Sequence, residues 1–377
     1  MKSLTKHIRY LCIIVLILNT IVFCSCGKNE LFNLGIPTKS YYPDNLIARC
    51  VWDMTVFDNN LYIGCGDYNN NSGPTPVLYS DLDDIGNWNE EAVLQDEQIG
   101  RFLLIDGKLT IPDFDPVGSP QYGTYYQLEN GIWNTYYGIP DGQHNFDLIK
   151  FNNLLFAGIG AERGLTPIAA SSDGRDFLRI PMYKNGEYVT TNGGECIRTH
   201  DFFILNNKLY ANFWYENIEA NRLISEIYRY DDGVFVFESE LTGKLNTGMS
   251  CRNMPPHWAK AAVNNTLFLT TGYLYYTNDM NEFKMINFPE YARTYDLYLY
   301  EDTLYVLTAS IKGKEYKVTV YSMPQGNIND LNKECSFDYP LHPTSFAVND
   351  DNFFIALGEW NVSDNTENGT IIQVKRD

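Results

Sequence analysis

The stretch Met54-Thr55-Val56-Phe57-Asp58-Asn59-Asn60-Leu61-Tyr62-Ile63 holds two apolar runs separated by a short polar turn. Asp and Asn tolerate the positive φ that tight turns demand, so the pattern predicts two antiparallel strands joined as a hairpin. The same pattern returns at 102–111 around Asp106-Gly107, at 148–157 around Asn152-Asn153, and at 202–211 around Asn206-Asn207. It continues at 261–269 around Asn264-Asn265, at 297–306 around Glu301-Asp302, and at 346–355 around Asn349-Asp350. Both strands are nearly continuous apolar runs, which predicts burial on both faces.

The second strands begin at Leu61, Leu109, Leu155, Leu209, Leu267, Leu304 and Phe353, spacings of 48, 46, 54, 58, 37 and 49 residues. A period of 40 to 50 residues with several strands per unit and no helical periodicity predicts an all-β fold, a seven-bladed β-propeller. Most units close with a second, weaker hairpin, as from Leu78 to Trp88 and from Tyr125 to Trp133. The last repeat ends at Thr370 to Val374 without a fourth strand, whereas Leu31 to Pro37 reads like one. The N-terminal segment is therefore expected to complete the last blade and close the ring, leaving no exposed sheet edge. Two stacked β-sandwiches fit the even repetition less well.

The chain has 377 residues with 28 Tyr, 21 Phe and 6 Trp, too aromatic for a disordered protein. Its formal charge of −19 is spread along the sequence and excludes a general nucleic-acid surface, which needs clustered Lys and Arg. Lys2, Lys6 and Arg9 precede an apolar run from Leu11 to Phe23, the layout of a secretory signal and too short for a comfortable membrane span. The following Phe23-Cys24-Ser25-Cys26-Gly27 resembles the lipobox of bacterial lipoproteins, although Phe23 stands where Leu is usual. That resemblance implies cleavage after residue 25, lipidation of Cys26, and anchoring at the outer membrane or cell surface. Residues 1–25 are thus a signal and 26–377 one propeller domain, whose charge becomes 25 − 47 = −22.

Beyond the anchor lie Cys50, Cys65, Cys196, Cys251 and Cys335, an odd number with no Cys-x-x-Cys spacing. They read as buried thiols with at most one or two bridges. Ser171-Ser172-Asp173-Gly174-Arg175-Asp176-Phe177 resembles the Asp-box turn of sialidases and related secreted propellers, and Thr277 to Phe283 is a looser copy without the Gly. The box is a folding device, and the resemblance speaks to architecture alone.

Candidate chemistry gathers where the innermost strands begin. His144, His200, His257 and His342 lie 8, 6, 7 and 7 residues before the first turn residue of their repeats, with Arg198, Arg293 and Gln98 in comparable places. This predicts groups that titrate near neutrality, and guanidinium groups, around one mouth. Five residues before the turns stand Asp53, Asp147, Asp201 and Asp296, with Arg101 in another repeat, and one position earlier Trp52, Phe146, His200 and Tyr295. In repeat five the aromatic is Trp258. The aspartates either serve chemistry or cap backbone amides of a neighbouring blade, and the aromatics either meet ligand or wedge between blades. No cofactor motif is present. Asp67-Tyr68-Asn69-Asn70-Asn71-Ser72-Gly73 is loosely like a calcium loop but lacks the distal Glu, and reads as an Asn-rich turn.

Two functions compete. The chain is similar to lipid-anchored propellers of polysaccharide-utilisation systems, which implies a monomeric surface protein that binds or degrades glycan, as a polysaccharide lyase or glycoside hydrolase. On a uronate polymer, Arg198 or Arg293 would neutralise the carboxylate, a neutral His would take the C5 proton, and a second His or a Tyr would protonate the leaving oxygen. Arg101, Trp52 and Trp258 would bind substrate. The alternative is a non-catalytic scaffold docking other envelope proteins through long insertions such as Met182 to Ile197. A metal site built from His144, His200, His257 and Cys196 or Cys251 is a third reading. Chemistry requires the histidines to converge within about 8 Å of one another.

Overall fold

The computed structural model describes residues 30–118, 122–140, 142–161, 165–190, 197–217, 222–241, 245, 259–359 and 365–376. Residues 1–25, read above as a signal, and Cys26, Cys196, Cys251, His257 and Trp258 fall outside them. The fold is an all-β propeller in which each repeat begins with the predicted hairpin. In the first, Asp53–Phe57 pairs with Asn60–Gly64, then Thr75–Asp81, then Trp88–Leu94. Six of the seven turns place residues at positive φ, as 48° and 61° at Asp58 and Asn59 and 48° and 62° at Asn152 and Asn153, whereas Asn349 and Asp350 do not adopt it and Asn349 Oδ1 instead accepts the amides of Asp351 and Asn352.

Seven separate four-stranded sheets are not what forms. Five sheets have four strands, while repeats three and four share one sheet of ten. The link is a single antiparallel pairing of Gly160 with Arg198, which bridges Leu154–Ala161 and Ile197–Leu205. The same sheet gains a hairpin, Met182–Lys184 with Glu187–Tyr188, whose first strand runs parallel to Val234–Glu240.

Leu31–Asn33 pairs antiparallel with Thr370–Lys375 as the fourth strand of the last sheet, Leu31 opposite Val374. Segments from opposite ends of the described chain thereby share one sheet. The hydrophobic core lies between successive repeats. Tyr62 and Val77 pack with Phe102 and Ile111, Tyr125 and Ile139 with Leu148 and Phe177, and Phe156 with Phe202 and Phe235. Leu205 meets Leu267, Phe268 meets Leu304, and Leu307 and Met54 both join the cluster of Phe346 and Ile355. The aromatic residues are therefore largely wedges between sheets, where burying each ring contributes about 1.5–3 kcal/mol.

Among the described residues, Cys50, Cys65 and Cys335 are buried thiols. Burial pushes the Cys65 thiol up to about 12. At the box-like turn, Asp173 Oδ1 accepts the amides of Arg175 and Asp176 at 2.9 and 3.0 Å, which lowers its carboxyl to about 2. The looser copy has the same bonds, with Asp279 Oδ1 accepting from Asn281 and Glu282, and Met280 adopts φ 64° where the first turn uses Gly174. No helix among the described residues is long and apolar enough to cross a membrane.

Candidate functional site

Four inner strands carry a β-bulge at the same place. Register slips between Asn145 and Asp147, Thr199 and Asp201, Thr294 and Asp296, and Pro343 and Ser345, so Phe146, His200, Tyr295 and Thr344 are the extra residues. A bulge bends its strand and re-aims the adjoining side chains. The residue after it points at the next repeat, and the residue two before it, His144, Arg198, Arg293 or His342, stands at the strand's entry.

The repeated aspartates join neighbouring repeats. Asp53 Oδ2 accepts Phe102 N–H at 2.6 Å, Asp147 Oδ2 accepts Phe202 N–H at 2.8 Å, and Asp296 Oδ2 accepts Phe346 N–H at 2.9 Å. The other oxygen of Asp53 and of Asp296 takes the amide of the following residue, Met54 or Leu297. Of the two roles open to them, Asp53, Asp147 and Asp296 show the capping one, whereas Asp201 meets Arg101 instead.

Arg101 is held in an ion-pair cluster between repeats. The residue is 7% exposed, and its guanidinium pairs with Asp147 at 2.9 Å and Asp201 at 2.8 Å. Lys260, which sequence reasoning missed, bonds Asp147 and lies 3.7 Å from Asp201. Its only sequence signal was a lone cation opening the Lys260–Val263 strand. Burial pushes the Asp147 carboxyl up, but Lys260 and Arg101 outweigh it and hold the group below its ordinary value. A cavity of about 470 Å³ opens beyond this cluster, lined by Asp53, Arg101, Lys260, Asp296, Tyr298 and Tyr300 among others. Burial pushes Asp53 up to about 7, and raises Asp296 well above the carboxylate range with help from the Asp53 charge.

The histidines divide into two groups. In the first, the Phe146 ring lies against both His144 and His200, with centroids 5.5 and 4.3 Å away and nearly parallel planes. His200 also meets Trp214 at 4.7 Å, and the Arg198 guanidinium sits 5.3 Å from the Phe146 centroid. His144 Nδ1 faces Phe114 O at 3.1 Å and Asp115 Oδ1 at 3.2 Å. Two acceptors at Nδ1 place a hydrogen there and fix the orientation of the ring. Asp115 was not anticipated, because it lies in the neighbouring repeat and nothing local marks it.

In the second group His342 stacks on Tyr295 at 5.1 Å and meets the edge of Tyr316 at 5.5 Å. Burial lowers the His342 pKa, partly offset by the bond of Nδ1 to Pro343 O at 2.9 Å. Exposed Arg293 opens the strand that carries Tyr295, Arg293–Tyr300. His144 and His200 thus share the Phe146 ring, whereas the ring contacts of His342 are with Tyr295 and Tyr316 of repeat six. Trp52 is half-buried and donates Nε1–H to Gly66 O at 2.6 Å. The Asn-rich loop is a turn whose Asp67 carboxylate caps Asn69 N–H and bonds the Asn70 amide. Among the described residues no group of three or more His, Cys, Asp or Glu is placed to hold a metal ion.

No protein-family profile matches the chain, and no curated protein does. Among solved structures it is similar to the β-propeller domain of the Trilobed protease from Pyrococcus furiosus, with 10% identity and TM-score 0.49 over 87% of this chain and 94% of that one. It is also similar to the acylaminoacyl peptidase of Pyrococcus horikoshii, with 10% identity and TM-score 0.46 over 82% of this chain and 49% of that one. For the Trypanosoma rangeli sialidase the identity is 10% and the TM-score 0.35, over 86% and 54%. The fold assignment rests on the strand order and on the cores between repeats.

Proposed function

We propose that this chain is an exported lipoprotein, anchored through Cys26, that binds acidic glycan at the entry mouth of a seven-unit ring. Repeats three and four count as two units because a single residue pair, Gly160 with Arg198, joins them. The observation that carries the reading is the arrangement around Phe146. His144, oriented through Nδ1 by Asp115 and Phe114 O, presents Nε2 as a base, and Arg198 lies on the same aromatic ring. A base and a guanidinium on one support suit a uronate, whose carboxylate must be neutralised before its C5 proton is acidic enough to leave.

In that chemistry Nε2 takes the C5 proton, the electron pair forms the C4–C5 double bond, and the C4–O bond breaks. His200, on the same ring, would supply the proton to the departing oxygen. The net charge of −22 for residues 26–377 opposes a polyanion only at short range, because fields beyond about 8 Å are screened at physiological salt. Arg293 beside His342 and Tyr295 offers a second anion-binding point for a longer chain.

The test is a panel of acidic and neutral polysaccharides, measured for binding and for the 235 nm absorbance of an unsaturated uronate. Wild type should bind uronate polymers, Arg198→Ala should weaken binding about tenfold or more, and His144→Ala should abolish absorbance while retaining binding. Absence of binding to every acidic glycan would overturn the reading and leave the envelope scaffold in its place.

A further inference from the structure

Repeat four carries a hairpin with no counterpart elsewhere among the described residues, Met182–Lys184 and Glu187–Tyr188, turned by Asn185 at φ 53° and Gly186 at φ 82°. It roofs a cavity of about 300 Å³ against the outer strands of repeat four, walled by Tyr188, Phe213, Tyr215 and Tyr228. Glu226, 1% exposed, sits at its base. The alternation of Arg222–Asp231 puts Glu226 in the same row as Ile224 and Tyr228, a position that an apolar side chain would fill at no electrostatic cost. Its carboxylate accepts Lys184 Nζ at 2.5 Å, Tyr228 Oη at 2.8 Å and Tyr215 Oη at 3.2 Å.

We propose that this cavity binds one neutral sugar ring. Its size is near the lower bound of small-molecule sites and admits a single ring. An anion would face Glu226 and Glu187, and a cation would face Lys184, whereas hydroxyl groups both donate and accept and so satisfy the carboxylate and the ammonium together. Tyr188 and Tyr215 supply aromatic surface for the C–H face of the ring. The site does not depend on the mouth being a glycan site.

The test is calorimetric titration of the full chain in detergent with glucose, galactose, mannose and N-acetylglucosamine, alongside acetate and tetramethylammonium as charged probes. At least one sugar should bind. Tyr188→Ala, at a rim position 54% exposed and tolerant of truncation, should weaken that binding about fivefold. Glu226→Gln should weaken it about tenfold or more, while Arg293→Ala at the mouth leaves it unchanged. The proposal is overturned if no sugar binds, if a charged probe binds here in their place, or if sugar binding survives Tyr188→Ala and is lost with Arg293→Ala.

Discussion

Replacing Asp53 by Asn should change how stability depends on pH, and the change can be worked from its surroundings. Asp53 borders the central cavity with no cation bonded to it, and burial pushes its carboxyl from 3.8 up to about 7. Between those values the folded chain holds a proton that the unfolded chain has released, so stability falls as pH rises through this window. For pKa values of 3.8 and about 7, this one group should cost about 2 kcal/mol of stability between pH 5 and pH 7. Asn cannot ionise, so Asp53→Asn should lose that slope. It will also carry a pH-independent penalty, because its single oxygen can replace only one of the bonds to Met54 N–H and Phe102 N–H, and an orphaned buried amide costs about 1–3 kcal/mol. Urea unfolding of both proteins at pH 5, 6 and 7 separates the two effects, since offset and slope are read independently. Without the Asp53 charge, Asp296 should also ionise more easily, because that charge is one of the causes raising it. Parallel curves for the two proteins would refute the reasoning and mean that Asp53 is ionised throughout.

Arg101→Met removes the guanidinium shared by buried Asp147 and Asp201 and leaves Lys260 alone with two carboxylates, so unfolding free energy should drop by about 3–5 kcal/mol, with partial recovery in Arg101→Lys. His342 should remain neutral below the ordinary histidine value of 6.5, seen as a late-titrating imidazole by NMR. Because the unfolded chain takes that proton first, His342 withdraws stability as pH falls below 6.5, the opposite sense to Asp53. Gly138→Ala should lower the urea midpoint, since a Cβ there would stand 1.7 Å from Arg175 O, and relieving such a clash costs about 1–3 kcal/mol.

The repeats were legible because each turn is locally determined. Asn and Asp at positive φ can be read from two residues, and the apolar runs beside them need no distant information. The strand Leu31–Asn33 was legible by subtraction, as the last repeat lacked its fourth strand. What escaped depends on contacts between repeats. The pairing of Gly160 with Arg198 joins residues 38 apart, and neither residue advertises it. The bond of His144 to Asp115 spans 29 residues, and the ion pair of Arg101 with Asp201 spans 100. The mouth position of His144, His200 and His342 could be read from spacing, but spacing does not say which ring each imidazole will lie against, and the bulges decide that.

Asp53, Asp147 and Asp296 show how one repeated residue acquires two chemical states. Asp53, Asp147 and Asp296 all accept the amide of the next repeat's inner strand, so selection for packing alone would treat them as equivalent. They are not equivalent electrostatically. Asp147 is held below its ordinary value by Lys260 and Arg101, which come from repeats five and two, where the aspartate pattern is interrupted. Asp53 and Asp296 have no such cation bonded to them and must either carry uncompensated charge or hold protons. The departures from the repeat therefore determine the protonation of the residues that keep to it. Introducing a cation at a further inner-strand position, as in Ser345→Lys beside Asp296, should lower the carboxyl it reaches and move the pH dependence of stability to lower pH.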